Sequence, residues 1–147
     1  MYKHVLMPVD GSDISRNAIK AGIAFARQLG AKMTAYHALD ASRANLYGEG
    51  TVIDPIAFRA IEEREREVGA RYVAEVREAA KSAGVEFESV ISRPAAHYLG
   101  IIETAEKMKC DVIFMPSHGR GELAALLLGS TTQKVLAHSK IPVLVHR

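Results

Sequence analysis

The sequence predicts an α/β fold: one open, five-stranded parallel sheet with helices on both faces. Short apolar runs alternate with segments of helical periodicity, in the order β-α-β-α-β-α-β-α-β. Turn or capping residues separate the two kinds of segment, so strands and helices can be told apart. Strands that alternate with helices imply parallel crossovers rather than hairpins. The 147 residues suit a single domain, 1–147, able to bury a core without disulfides or metals.

The first strand is the apolar run His4 to Val9, closed by Asp10-Gly11-Ser12. A helix follows, with Ile14, Ala18, Ala21, Phe25 and Leu29 spaced by three or four as its inward face. Ser12 suits its N-cap and Gly30 its stop. Lys32 to Leu39 forms the second strand. Asp40 to Asp54 is polar and aperiodic and reads as a loop. Pro55 opens a long helix to about Ser82, with Ile61, Val68, Tyr72, Val76 and Ala80 inward and a sign-balanced Glu/Arg face outward. Val85 to Ser92 alternates apolar and polar residues, as expected of a strand exposed on one face near a sheet edge. Tyr98 to Lys107 is a helix with Ile101, Ile102, Ala105 and Met108 inward. Asp111 to Met115 is apolar enough to be buried on both faces. Pro116 to Leu128 is a loop with a short helical turn at Leu123 to Leu127. Ser130 to His138 is the last helix, and Ile141 to His146 the last strand.

Composition narrows the function. Hydrophobic residues make up 48% and charged residues 24%, ordinary values for a soluble globular protein. A net charge of +2, spread along the chain, supplies no electrostatic case for a nucleic-acid partner. No apolar run approaches the ~20 residues of a membrane span. Met1 to Asp10 lacks a signal-peptide layout. One cysteine, Cys110, fits a reducing compartment, and the expected location is the cytoplasm.

Open α/β sheets bind ligands beyond the carboxyl ends of their strands, where strand order reverses. Three segments qualify: Pro8 to Ser12, Ala38 to Ala41, and Met115 to Thr132. In the third, Gly119 and Gly121 permit close backbone approach. Gly129-Ser130-Thr131 opens a helix whose N–H groups and positive dipole end suit a phosphate. The hydroxyls of Ser130, Thr131 and Thr132 can add hydrogen bonds. A structural alternative has the two glycines turning the chain and Ser130 capping the helix. The segment is neither a Walker loop nor a Rossmann fingerprint, because the required lysine and glycines are missing.

Four pieces in this order resemble the universal stress protein family over essentially the whole chain. They are Val5-Leu-Met-Pro-Val-Asp-Gly-Ser12, Tyr36-His37-Ala38, Ser117-His-Gly-Arg120 with Leu126-Leu-Leu-Gly-Ser130, and Lys134 to His138 followed by Ile141-Pro-Val-Leu-Val145. The resemblance implies a Rossmann-like sheet of the adenine nucleotide alpha hydrolase type, with strand order 3-2-1-4-5. It also implies an adenine nucleotide ligand: ATP, ADP or AMP, with magnesium brought by the phosphates. The implied contacts are Pro8, Val9 and Asp10 on the ribose or adenine side and the Ala38 backbone on the adenine edge. Met115 and Pro116 follow the fourth strand, and Gly119, Gly129, Ser130, Thr131 and Thr132 surround the phosphates. ATP-binding members show Gly-x2-Gly-x9-Gly-Ser/Thr. Pro116 stands here in place of the first glycine, with φ fixed and no N–H to offer. The chain also has Ser92-Arg-Pro-Ala-Ala-His97 where members often carry a Gly-Asp-Pro-like turn.

The family also implies a symmetric homodimer through the last strand, Ile141 to His146, an apolar chain-terminal segment that suits a sheet edge. The six histidines lack metal-ligand spacing. His118 sits in the ligand loop with either a packing or a phosphate role. No nucleophile-elbow pattern surrounds Ser12, Ser117 or Ser130, and Cys110 reads as packing. The expectation is therefore a nucleotide-binding regulator of stress responses and not an enzyme. The alternatives are a dimeric interaction module without nucleotide and a weak ATPase.

Overall fold

The computed structural model describes residues 1–40, 54–117 and 128–147. The strands are β1 (His4–Pro8), β2 (Lys32–Ala38), β3 (Phe87–Ser92), β4 (Val112–Pro116) and β5 (Val143–His146). The helices are α1 (Asp13–Leu29), α2 (Pro55–Ala83), α3 (His97–Lys107) and α4 (Ser130–His138). The turn expected at Leu123 to Leu127 and most of the Asp40–Asp54 loop lie outside the described residues. All pairings are parallel and the strand order is β3-β2-β1-β4-β5, which puts β3 and β5 at the edges. Local chemistry sets the helix ends, at Ser12 and Gly30 as the sequence implies and at Asp54 and Gly84 as well. Ser12 Oγ accepts from Ser15 N at 3.1 Å, Asp54 Oδ1 accepts from Ile56 N at 3.0 Å, and Gly30 and Gly84 close α1 and α2 at φ 61° and 70°.

Strand alternation divides the core in two. Val5, Met7, Met33, Ala35, Val112 and Phe114 face α1 and α2. Leu6, Tyr36, Ile113 and Met115 face α3 and α4, where Ile101, Ala105 and Val135 cover them. β4 is buried along its whole length, as an apolar central strand should be.

The inward face of α1 differs from the expected one. Ser15, Ala18, Ile19, Gly22, Ile23 and Ala26 are buried, whereas Ala21 and Phe25 are half-buried and Leu29 is exposed. Small residues decide the phase. A Cβ at Gly22 would lie 2.7 Å from Met7 Sδ and 3.2 Å from the Phe114 ring. Ala18, Gly22 and Ala26, one turn apart, thus let the helix settle closely on β1 and β4. Helix α2 departs in another way. Val76 and Ala80 are buried as expected, joined by Val73 and Gly69, but Ile61, Val68 and Tyr72 are only half-buried. Gly69 already lies against His37 at the end of β2, so the earlier turns of α2 extend past the sheet's carboxyl edge.

A polar network occupies the other end of the sheet. Thr34 is fully buried and donates through Oγ1 to Glu88 Oε1 at 3.0 Å. Its oxygen can then receive His4 Nε2–H at 2.7 Å, which sets the neutral tautomer of His4. Burial, with the Lys32 cation nearby, holds the His4 pKa below its ordinary value and outweighs Glu88, 3.4 Å away. The unfolded chain therefore takes up this proton at a higher pH than the folded one. Stability from this site is complete above the ordinary histidine pKa and declines as pH falls from there through the lowered folded value. The melting temperature should drop on acidification from pH 7 toward 5. His4→Gln, which keeps a donor for Thr34 without titrating, should flatten part of that drop; an unchanged slope would refute the assignment.

Candidate functional site

The cavity owes its position to two prolines. Val9 N donates to Tyr36 O in β2, and Ser117 N donates to His146 O in β5, both at 2.8 Å. Backbone direction alternates along a strand, so the nitrogens of Pro8 and Pro116 point the other way, toward each other across β1 and β4. Neither carries a hydrogen. The register between β1 and β4 stops at Leu6↔Ile113, and the strands part beyond it. That crevice is the switch point at which strand order reverses.

Above it lies a cavity of about 670 Å³. Pro8, Val9 and Asp10 line it from β1, Ala38 from β2, and Met115 and Pro116 from β4. Gly129, Ser130, Thr131 and Thr132 line it from the start of α4. Three segments far apart in sequence thus meet at one cavity. Gly119 and His118 lie outside the described residues.

Each wall has a definite chemistry. The N-cap of α4 is Gly129, at φ −58° and ψ 150°, which has no side chain to occupy the helix N–H groups. The positive end of the helix dipole therefore forms part of the cavity wall. Gly129 N donates to Ser117 O at 2.8 Å, which fixes where the helix begins. Ser130 is the first helical residue rather than the cap. Thr132 is buried and its Oγ1 donates to the Pro116 carbonyl at 3.1 Å. Its hydroxyl hydrogen ties α4 to β4.

Asp10 is held by its own turn, with Oδ1 accepting from Ser12 N at 2.9 Å. Gly11 follows at φ +77°, and a Cβ there would lie 2.3 Å from the Tyr72 ring. Ala38 contributes backbone. Leu39 N bonds toward β3, to Ser92 O, so Ala38 N–H and C=O face the cavity side.

Several lining groups were not singled out from sequence. Ile61, Arg64, Glu65, Val68 and Tyr72 form one stripe of α2 along the cavity. The sequence read Ile61, Val68 and Tyr72 as core because their spacing is helical, and left Arg64 and Glu65 on the outward face; the overhang of α2 turns the stripe into a wall. Arg93 joins Glu65 at 2.5 Å and also donates to the Asp40 carbonyl, while His97 Nε2 meets Asp40 Oδ1 at 3.0 Å. These contacts tie the ends of β2 and β3 to α2 and α3 at the rim. Tyr36 OH and Ser92 Oγ are 2.9 Å apart beneath it, and burial raises the Tyr36 pKa. Cys110 lies away from the cavity in the core, where burial pushes its thiol up to about 11. Among the described residues there is no group of three His, Cys, Asp or Glu that could hold a metal, and no helix long and apolar enough to cross a membrane.

A family model described as the Universal stress protein family matches residues 1–147. Universal stress protein MJ0531 of Methanocaldococcus jannaschii is 34% identical over 99% of this chain and 82% of its own. The solved structure of MJ0577 from the same archaeon superposes with a TM-score of 0.81 at 26% identity, covering 99% of this chain and 95% of that one. A universal stress protein from Archaeoglobus fulgidus, solved in complex with dAMP, shares the fold with a TM-score of 0.69. It is 16% identical, over 99% of this chain and 98% of its own.

Proposed function

This chain belongs to the universal stress protein family, and on that premise we propose that it binds an adenine nucleotide and acts as a regulator through occupancy of the site. The observation that carries the reading is the convergence of Gly129–Thr131, Asp10 and the Ala38 backbone on one cavity. A helix N-terminus favours phosphate at one end. The cavity-facing edge of Ala38 offers one donor and one acceptor, which matches the edge of adenine. Asp10 follows β1, which lies between β2 and β4 in the sheet, and suits a ribose hydroxyl. The dAMP complex of the Archaeoglobus fulgidus relative supports the ligand class. AMP, ADP and ATP share these features. Magnesium would come with the triphosphate, held through phosphate oxygens and water. We read the protein as cytoplasmic and as a homodimer through β5, which is an edge strand among the described residues.

Pro116 favours a second reading, an interaction module without nucleotide. It stands where ATP-binding members have glycine, and its carbonyl already accepts from Thr132. Mass spectrometry of small molecules released from the purified protein, with calorimetric titration by AMP and by ATP·Mg, separates the two. The nucleotide reading expects a co-purifying adenine nucleotide or a measurable heat. No released nucleotide and no heat would refute it in favour of the second. Hydrolysis would require turnover that Asp10→Ala abolishes.

A further inference from the structure

His37 makes a contact that alters the backbone available at the cavity. A continued β1–β2 ladder would follow the Val9 N to Tyr36 O bond with one from Ala38 N–H to the Val9 carbonyl. Among the described residues that bond is not made. The Val9 carbonyl accepts instead from His37 Nδ1, at 2.8 Å. Val9 is therefore pinned from both sides by β2, immediately before Asp10, while Ala38 N–H is left facing the cavity.

Helix α2 holds the imidazole in this pose. A Cβ at Gly69 would lie 2.6 Å from His37 Cδ2, so only glycine leaves room for the ring there. Tyr72, one turn on, meets the imidazole edge-on, with centroids 5.3 Å apart and planes at 71°. The same Tyr72 ring fills the space that Gly11 leaves open after Asp10. Two glycines and two rings thus lock α2 to the Val9–Gly11 turn.

We propose that His37 is a positioning residue of the ligand site: by taking the Val9 carbonyl through Nδ1–H, it keeps Ala38 N–H unpaired for the ligand and sets the turn that carries Asp10. The ligand half of this proposal rests on the functional reading above; the backbone half does not. Two measurements keep them apart. The first is amide hydrogen exchange at Ala38 in the ligand-free protein. His37→Ala releases the Val9 carbonyl to the Ala38 amide, and exchange there should slow at least severalfold. His37→Asn places an amide nitrogen where Nδ1 stands and should keep exchange fast; His37→Gln, with its nitrogen nearer the Nε2 position, should not. The second is AMP affinity by calorimetry. Losing one neutral hydrogen bond corresponds to about a 3- to 10-fold change, so His37→Ala and His37→Gln should bind AMP weaker by that factor, with His37→Asn near wild type. Asn and Gln both lose the ring contact with Tyr72, so a merely structural histidine would make them fall together. Gly69→Ala, which displaces the ring, should weaken binding like His37→Ala, and the double variant should add little. Unchanged Ala38 exchange in His37→Ala overturns the proposal, as does equal AMP binding by all variants beside a binding wild type. Slowed exchange in a protein that binds no AMP upholds the backbone role and overturns the nucleotide reading.

Discussion

Gly129→Val is expected to weaken adenine nucleotide binding about 10- to 100-fold, the equivalent of one hydrogen bond to a charged group. Gly129 is the N-cap of α4 and lines the cavity beside Ser130 and Thr131. A branched side chain there would stand between the first-turn N–H groups and an incoming phosphate. Backbone strain is not the cause, because φ −58° and ψ 150° are open to valine. The helix should form and the melting temperature should move little. Calorimetry with ATP·Mg and a thermal melt of the same preparation check both halves. A loss of stability as large as the loss of binding would remove the phosphate role from this residue.

Leu6→Ala should have the largest effect on the fold itself, about 2–5 kcal/mol of unfolding free energy. Leu6 is fully buried in β1, the strand paired on both sides, by β2 and β4. Its side chain belongs to the core beneath α3 and α4 with Tyr36, Ile113 and Val135. Truncation removes apolar burial and leaves a cavity that neighbours in a five-stranded parallel sheet cannot collapse to fill. Urea denaturation should show a lower midpoint at an unchanged slope. Leu136→Ala, at a side chain 42% exposed, serves as the control and should stay within about 0.5 kcal/mol. A Leu6→Ala loss no larger than the control would contradict the two-face core described above.

Much of this molecule follows from features that act over a few residues. Apolar runs, the N-cap at Ser12, the stop at Gly30, the start of α2 at Pro55 and the fully apolar fourth strand are legible because each depends on neighbours within one or two turns. The order of elements follows from them, and so does the placement of the candidate site at the carboxyl ends of strands. The resemblance carried by Gly129-Ser130 and Asp10 added the strand order and the expectation of an adenine nucleotide.

Contacts between distant segments decided the rest. The phase of α1 turned on Gly22 meeting Met7 and Phe114, which a count of large apolar residues cannot register. The stripe Ile61, Val68 and Tyr72 has core-like spacing but stands past the sheet, so its helical period is right and its neighbour is a cavity. Thr132 reaches Pro116 across 16 positions, and His37 reaches Val9 across 28. Periodicity reports which positions can be apolar or capped; it carries no information on which remote atom they will touch. Strand register and helix overhang supply that information, and here they decide which backbone groups are left facing the cavity.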